Sequence, residues 1–391
     1  MSYKIGFMGC GVVADYGHAH AVRETPGVHI HALFDPDADR LAWFRDRHAP
    51  EALTFTDQEA FLDSGLDAVA VLSPAPFHKA NVLAAAKRRL PVMCEKPLAM
   101  SVDEGAEMIA AMDAAGAPLA AGFCYRYSPS AMEIKRLVED GAIGDVRSLR
   151  LIYNWDCHGK YYRPDPQARP DHWTVDPRRL GRMREGGPMV DCGTHQIDLA
   201  MWWLDSPVTR TTGHAAWVDE YDAPDHAFAH LDHANGAHTM VEMSFSYGHT
   251  TRDKFSRFEY ELIGTSGIIL YDRNAEIFEL RTDQFTRRLD YHWEKSFHGL
   301  WAAYRDMLDQ PDRVATLRSS QCPLSTAENA MEVTRIAWEA TQHAIDTRSD
   351  ASRWPDRLAD SPVSAVGGVP APPEDEAAHA EQRERSLRHS G

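Results

Sequence analysis

At 391 residues, with 43% hydrophobic and 25% charged side chains, the chain is long for one domain and has the balance of a globular protein with a sizeable core. Its formal charge of −17 is spread along the sequence, a field that opposes nucleic acid and anionic membrane as partners. Six scattered cysteines without a CxxC pair argue against a disulfide framework or a structural zinc site. No apolar stretch approaches the ~20 residues that span a bilayer, and no signal peptide opens the chain, so a cytoplasmic protein is expected.

The first 125 residues alternate strand-like and helix-like segments. "YKIGFMG", "VHIHALFD", "DAVAVLSP", "PVMCEKP" and "PLAAGFCYR" read as strands. Between them "VVADYGHAHAVRETPG", "ADRLAWFRDRH", "HKANVLAAAKRRL" and "SVDEGAEMIAAMDAAG" read as helices, the last opened by a capping box at Ser101 and Glu104. Such alternation predicts βαβ units and a parallel sheet covered by helices. After a helix at about 129–140 the pattern changes to consecutive strands: "DVRSLRLIYNWD", "TRTTGHAAW", "HAFAHLDH", "AHTMVEMSFSY", "SRFEYELIG", "GIILY" and "AEIFELRT". A helix near 188–204 interrupts them, and helices near 296–309 and 325–346 follow. A second, α+β domain with a mostly antiparallel open sheet is predicted. From about residue 355, Pro, Gly, Ala and charge dominate, which predicts an extended tail. The expected division is 1–125, 126–350 and 351–391.

"KIGFMGCGVVADYG" places Gly9-x-Gly11-x-x-Ala14 between the first strand and the first helix. Glycines there permit a tight turn and a close approach of backbone N–H groups to a pyrophosphate, so a dinucleotide is expected at Gly9, Gly11, Val12 and Val13. Asp35 ends the second strand, where an acid takes the adenosine ribose hydroxyls; the alternative is a turn-starting residue before Pro36. With Asp37 close by, two carboxylates favour NAD over NADP, although Arg40 softens that discrimination. "VMCEKPLAM" puts Lys96 at a strand end on the ligand side of such a sheet, which suits either a solvated lysine or one directed at a cofactor.

"GGPMVDCGTHQIDL", residues 186–199, spaces Asp191, His195 and Asp198 by four and three, one face of a helix. By itself this allows a metal site, an acid–base catalyst or a buried polar network.

Taken together, these features resemble the Gfo/Idh/MocA oxidoreductases, the glucose–fructose oxidoreductase and inositol dehydrogenase relatives. The resemblance covers residues 3 to about 347. It rests on the glycine turn, Asp35, "SPAPFHKANVLAAAKRRLPVMCEKPLA", "GFCYRYSP" and the run from Trp173 through Gly186-Gly187 to Asp191, His195 and Asp198. It implies a Rossmann domain binding NAD, and hydride exchange at a hydroxyl carbon surrounded by Lys96, Asp191 and His195. It further implies cofactor contacts for Ser73, His78, Glu95, Lys96 and Arg126, with Tyr125 near nicotinamide and substrate. The family's third glycine is replaced by Pro188, and the segment before it is long.

Hydride loss from a secondary alcohol needs a base for the hydroxyl proton, and His195 suits this near neutrality, with Lys96 as the alternative. Asp191 orients the imidazole or binds a neighbouring hydroxyl, and no metal is required. Asn154, Asp156, His158 and Trp173, with nearby aromatic rings, suit a sugar or cyclitol. The expected activity is an NAD-dependent dehydrogenase or reductase of such a substrate. The alternatives are an NAD-dependent glycosidase acting by transient oxidation and a non-catalytic nucleotide sensor. A homodimer or homotetramer is expected through the second domain's sheet.

Overall fold

The computed structural model describes residues 2–157 and 177–348, apart from 219, 220, 222, 250, 252, 254 and 294. His158, Trp173 and the segment 351–391 therefore lie outside the described residues. The described residues form two compact units, one within 2–136 and 295–336 and the other within 137–293 and 337–348.

In chain order the elements begin with β1 (Tyr3–Met8), α1 (Ala19–Glu24), β2 (Val28–Phe34), α2 (Ala38–His48), β3 (Leu53–Phe55), α3 (Gln58–Leu62), β4 (Ala68–Val71) and α4 (His78–Ala86). Next come β5 (Val92–Cys94), α5 (Val102–Ala115), β6 (Leu119–Ala121), α6 (Pro129–Glu139), β7 (Val146–Asn154), α7 (Pro177–Arg184) and α8 (Thr194–Leu204). A run of strands follows, β8 (Val208–Ala216), β9 (His226–His233), β10 (His238–Ser244), β11 (Arg257–Gly264), β12 (Gly267–Asp272), β13 (Ile277–Thr282) and β14 (Thr286–Arg288). The chain then forms α9 (Phe297–Leu308), α10 (Arg313–Leu317), β15 (Ser325–Thr326) and α11 (Ala327–Asp346). No helix among the described residues is long and apolar enough to cross a membrane.

The first sheet runs β15-β6-β5-β4-β1-β2-β3, parallel throughout except for β15. The Ala-Val-Ala-Val of β4 and the Val-Met-Cys of β5 are fully buried, because helices shield both faces of a parallel sheet. The short β3 and α3, and the β15 edge strand, carry too little periodic signal to be read from sequence. Ser101 caps α5 by accepting the Glu104 N–H at 3.2 Å, and Gly116 closes that helix at φ 64°. The Glu104 carboxylate reaches the N–H of Met100 at 3.2 Å, one residue before the position a capping box prescribes.

The second sheet runs β14-β13-β12-β11-β7-β10-β9-β8, antiparallel everywhere except the β7–β10 pair. Strand alternation buries Leu149, Leu151, Tyr153, Val241, Met243 and Tyr260 on one face. The α8 helix covers that face, with Trp203 edge-on to Tyr260 at 5.1 Å. The opposite face mixes half-buried His230, His238, Met240, Glu259 and Leu270 with exposed Arg150 and Ile263.

Candidate active site

Strand order reverses about β1 in the first sheet, since β2 and β4 flank it on either side. In such sheets ligands bind beyond the carboxyl ends of the strands at this switch point. Gly9, Asp35, Ser73, Glu95, Lys96, Tyr125 and Arg126 all follow the carboxyl ends of β1, β2, β4, β5 and β6.

Gly9 has φ +104°, and a Cβ there would lie 2.6 Å from the Ser73 nitrogen, so both conformation and space require glycine. A Cβ at Gly11 would meet no protein atom within 4 Å. The backbone at Gly11 thus borders open space of the kind a pyrophosphate needs, flanked by half-buried Val12 and Val13. Asp35 accepts the N–H of Cys10 at 2.9 Å through one oxygen and that of Asp37 at 3.0 Å through the other. The Asp37 carboxylate is committed to capping α2 through the N–H groups of Asp39 and Arg40. Arg40 turns back to donate to the Cys10 carbonyl at 2.6 Å, with its guanidinium 4.4 Å from the Trp43 ring centroid. Glycine turn, open space and strand-end carboxylate together fit an NAD.

Chain 14–18 forms a π-turn, the wider helical turn that recurs at functional sites. It ends at His18, which is wholly buried. His18 Nε2 lies 2.8 Å from Glu95 Oε1, and Trp301 Nε1 donates to His18 Nδ1 at 3.1 Å. Glu95 Oε2 accepts the N–H of Lys96 at 3.1 Å. Burial pushes the Glu95 carboxyl upward, but the His18 hydrogen bond, the Lys96 charge and the Lys96 N–H hold it below its ordinary value. His78 bridges two loops: Nε2 lies 2.7 Å from the Ser73 carbonyl and Nδ1 3.0 Å from that of Pro97. Ser73 Oγ accepts from Asn81 at 2.9 Å. Lys96 is half-buried, while Tyr125 and Arg126 are buried. Lys295 places its ammonium 5.5 Å from the Tyr16 ring and 5.6 Å from the Tyr125 ring. Burial pushes the Cys10, Cys94 and Cys124 thiols up, Cys124 to about 12, so none of them is a nucleophile near neutrality.

In the second unit, Gly186 (φ +108°) and Gly187 (φ +71°) turn the chain after α7. A Cβ on the first would meet Val190 at 2.7 Å, and on the second the Pro224 carbonyl at 2.9 Å. Pro188 follows in the first helical turn with φ −61°, where its missing N–H costs nothing. That accounts for a proline at this position. The segment predicted as one α-helix begins as a second π-turn, Met189–Gly193, before α8 starts. Asp191 therefore sits in the wider turn, while His195 and Asp198 follow on the regular helix three residues apart. Asp191 Oδ2 lies 3.5 Å from Arg182 Nε, and Arg182 also contacts Cys157 Sγ at 3.1 Å. His195 is buried on α8. Asn154 alternates with Tyr153 and so lies on the sheet face opposite α8; it is fully buried and donates to Glu242 at 2.7 Å. Asp156 forms an isolated bridge with Ser246.

Sequence reasoning placed His18 close to the glycine turn, where it could line the cofactor cleft, but gave it no role; it missed Trp301, Lys295 and Arg182. The "HAH" run beside the glycine turn was the only local signal for His18, and nothing in the sequence links it to a tryptophan 283 residues away.

Residues 3–123 match the oxidoreductase family with an NAD-binding Rossmann fold, and residues 131–270 match the Gfo/Idh/MocA C-terminal domain. The chain belongs to the Gfo/Idh/MocA family of oxidoreductases. Its first unit is thus an NAD-binding Rossmann domain, and the protein is a dehydrogenase or reductase of the Gfo/Idh/MocA type. Similar proteins include an uncharacterized oxidoreductase of Bacillus subtilis (strain 168), 26% identical over 86% of this chain and 93% of the relative. The scyllo-inositol 2-dehydrogenase (NAD+) of the same organism is 26% identical over 90% of this chain and 97% of its own. An oxidoreductase from Agrobacterium radiobacter, solved with NAD+, L-tartaric acid and magnesium, shares the fold with a TM-score of 0.71 at 21% identity. That alignment covers 89% of this chain and 98% of the other.

Proposed function

We propose that this oxidoreductase interconverts a secondary hydroxyl and a keto group on a sugar, cyclitol or sugar derivative, with NAD as its redox partner. The observation that carries the reading is Lys96, half-buried at the carboxyl end of β5, with its backbone tied to the Glu95 carboxylate on the same sheet edge as Gly9, Gly11 and Asp35. The scyllo-inositol 2-dehydrogenase relative, aligned over 90% of this chain, supports a polyhydroxylated substrate.

NAD, when bound, supplies the hydride acceptor or donor. In the oxidative direction His195 takes the hydroxyl proton, a task matched to an imidazole near neutrality. The Lys96 ammonium favours negative charge developing on the substrate oxygen. Asp191, with Arg182 3.5 Å away, acts as a charged anchor for the imidazole or a neighbouring hydroxyl rather than as the base. Ser73, His78, Glu95 and Arg126 belong to the cofactor's surroundings, and Tyr125 to the substrate's. We further propose that the protein works as a homodimer or homotetramer; light scattering that shows a monomer at working concentration would reject this.

The test of the activity is a screen of cyclitols, free sugars, sugar acids and glycosides with NAD, following NADH absorbance and product identity together. Steady NADH production with a keto product is expected. Aglycone release without net NADH would replace this reading with a glycosidase, and NAD binding without turnover on any of these would replace it with a sensor.

A further inference from the structure

Trp301, His18 and Glu95 form a continuous polar line in an otherwise apolar region. An indole N–H can only donate, so the 3.1 Å contact from Trp301 makes His18 Nδ1 an acceptor. The ring proton of the neutral imidazole is then on Nε2, where it donates to Glu95 Oε1 at 2.8 Å. The other carboxylate oxygen accepts the main-chain N–H of Lys96 at 3.1 Å. All three side chains are buried, His18 and Trp301 completely.

The surrounding packing leaves this line little freedom. The Phe297 ring stands edge-on to His18 at 4.8 Å and the Phe7 ring at 6.5 Å. A Cβ at Gly17 would reach to 2.7 Å of the Phe297 ring, and one at Gly122 to 3.0 Å of Glu95 Oε1. Glycine at both positions lets the π-turn and the strand end close on the pair.

We propose that Trp301 and His18 are positioning residues for Lys96: through the Glu95 carboxylate they set the orientation of the lysine's backbone and keep a fixed negative charge beside it. This rests on the reading that Lys96 serves the reaction, but it makes a claim about the protein itself. The relay has a direction, from donor indole to acceptor and donor imidazole to acceptor carboxylate. A group at position 18 that keeps this polarity preserves the function, and one that only fills the space does not. Among the described residues, the titratable groups acting on this cluster include His78 and Cys94 beside Glu95, and Cys124 and Lys295, which interact with Glu95, Lys96 or each other.

Two measurements test it without a substrate. Nitrogen-15 NMR of histidine-labelled protein should show His18 as the Nε2–H tautomer; an Nδ1–H tautomer would overturn the proposal. Acetylation of Lys96, followed by mass spectrometry against pH, reads the fraction of free amine. His18→Phe and Glu95→Gln, which remove the donor or the charge, should raise the acetylation rate about tenfold at a pH below the midpoint. His18→Gln, whose amide can both accept from Trp301 and donate to Glu95, should stay within about threefold of wild type. Unchanged acetylation in His18→Phe, or a His18→Gln variant as fast as His18→Phe, would overturn the relay. If His18→Phe does not fold, Trp301→Phe replaces it: loss of the single-tautomer signal is expected, and an unaltered signal overturns the proposal. Normal turnover in Lys96→Ala would reject the catalytic reading of Lys96 while leaving the acetylation result standing, so the two failures are distinguishable.

Discussion

The carboxylate of Asp35 accepts the backbone N–H of Cys10 at 2.9 Å, which ties the acid at the end of β2 to the turn between Gly9 and Gly11. A charged acceptor of this kind contributes about 1.5–3 kcal/mol. Asp35→Ser should therefore loosen the turn as well as remove the partner expected for the ribose hydroxyls. A fall in NAD affinity of at least about tenfold is expected, with a narrowed preference over NADP because Arg40 stays beside the turn. Titration of both nucleotides by fluorescence checks this; an unchanged preference would show that Asp35 does not select the cofactor.

The two glycines of the turn should fail differently. Gly9→Ala combines a left-handed backbone with a clash against Ser73, so both thermal stability and NAD binding should drop, the strain alone costing about 1–3 kcal/mol. Gly11→Ala places its methyl in open space, so the melting temperature should hold while NAD affinity falls by about tenfold or more. Calorimetry and nucleotide titration on the two variants separate these outcomes.

Lys96→Ala and His195→Ala are each expected to lower turnover by about 10²–10⁴-fold once a substrate is in hand, with NAD affinity within about threefold of wild type. Rates near normal would remove these residues from the mechanism.

Acid should weaken the fold through its buried histidines. Burial is the main influence on His233 and lowers its pKa, against the Ser206 carbonyl and Asp232. A group whose folded pKa lies below its unfolded value near 6.5 binds its proton more readily when unfolded. The stability it contributes is present above that value and is lost as pH falls below it, by at most about 1.4 kcal/mol per histidine between pH 7.5 and 5.5. Urea denaturation of wild type and His233→Asn across this window is the check. The variant should show the shallower dependence on pH, and equal slopes would contradict the assignment.

The elements themselves were legible because their signals are local. Period-two burial marked β9 and β11, continuous apolar runs marked β4 and β5, and Ser101 and Gly116 bounded α5. The glycine turn, Asp35 and Lys96 were equally readable, since each follows a strand at a spacing that the βαβ pattern imposes. The π-turns were not legible: a shift from an i+4 to an i+5 backbone bond leaves no mark in hydrophobic periodicity, so the segment through Asp191 read as part of one regular α-helix. Asn154 illustrates another limit. Its polar neighbours suggested a substrate contact, but strand parity and the Glu242 partner across β10 place it on the far face of the sheet.

The sequence alone thus determined the Rossmann order, the second sheet and the residue types available for acid–base work, because these follow from periodicity and from short motifs. Only the tertiary structure decided which groups meet. It joined Trp301 and His18 across 283 positions and paired Arg182 with Asp191. Hydrogen-bond polarity depends on which donors and acceptors packing brings within 3 Å or so, and no local pattern encodes that.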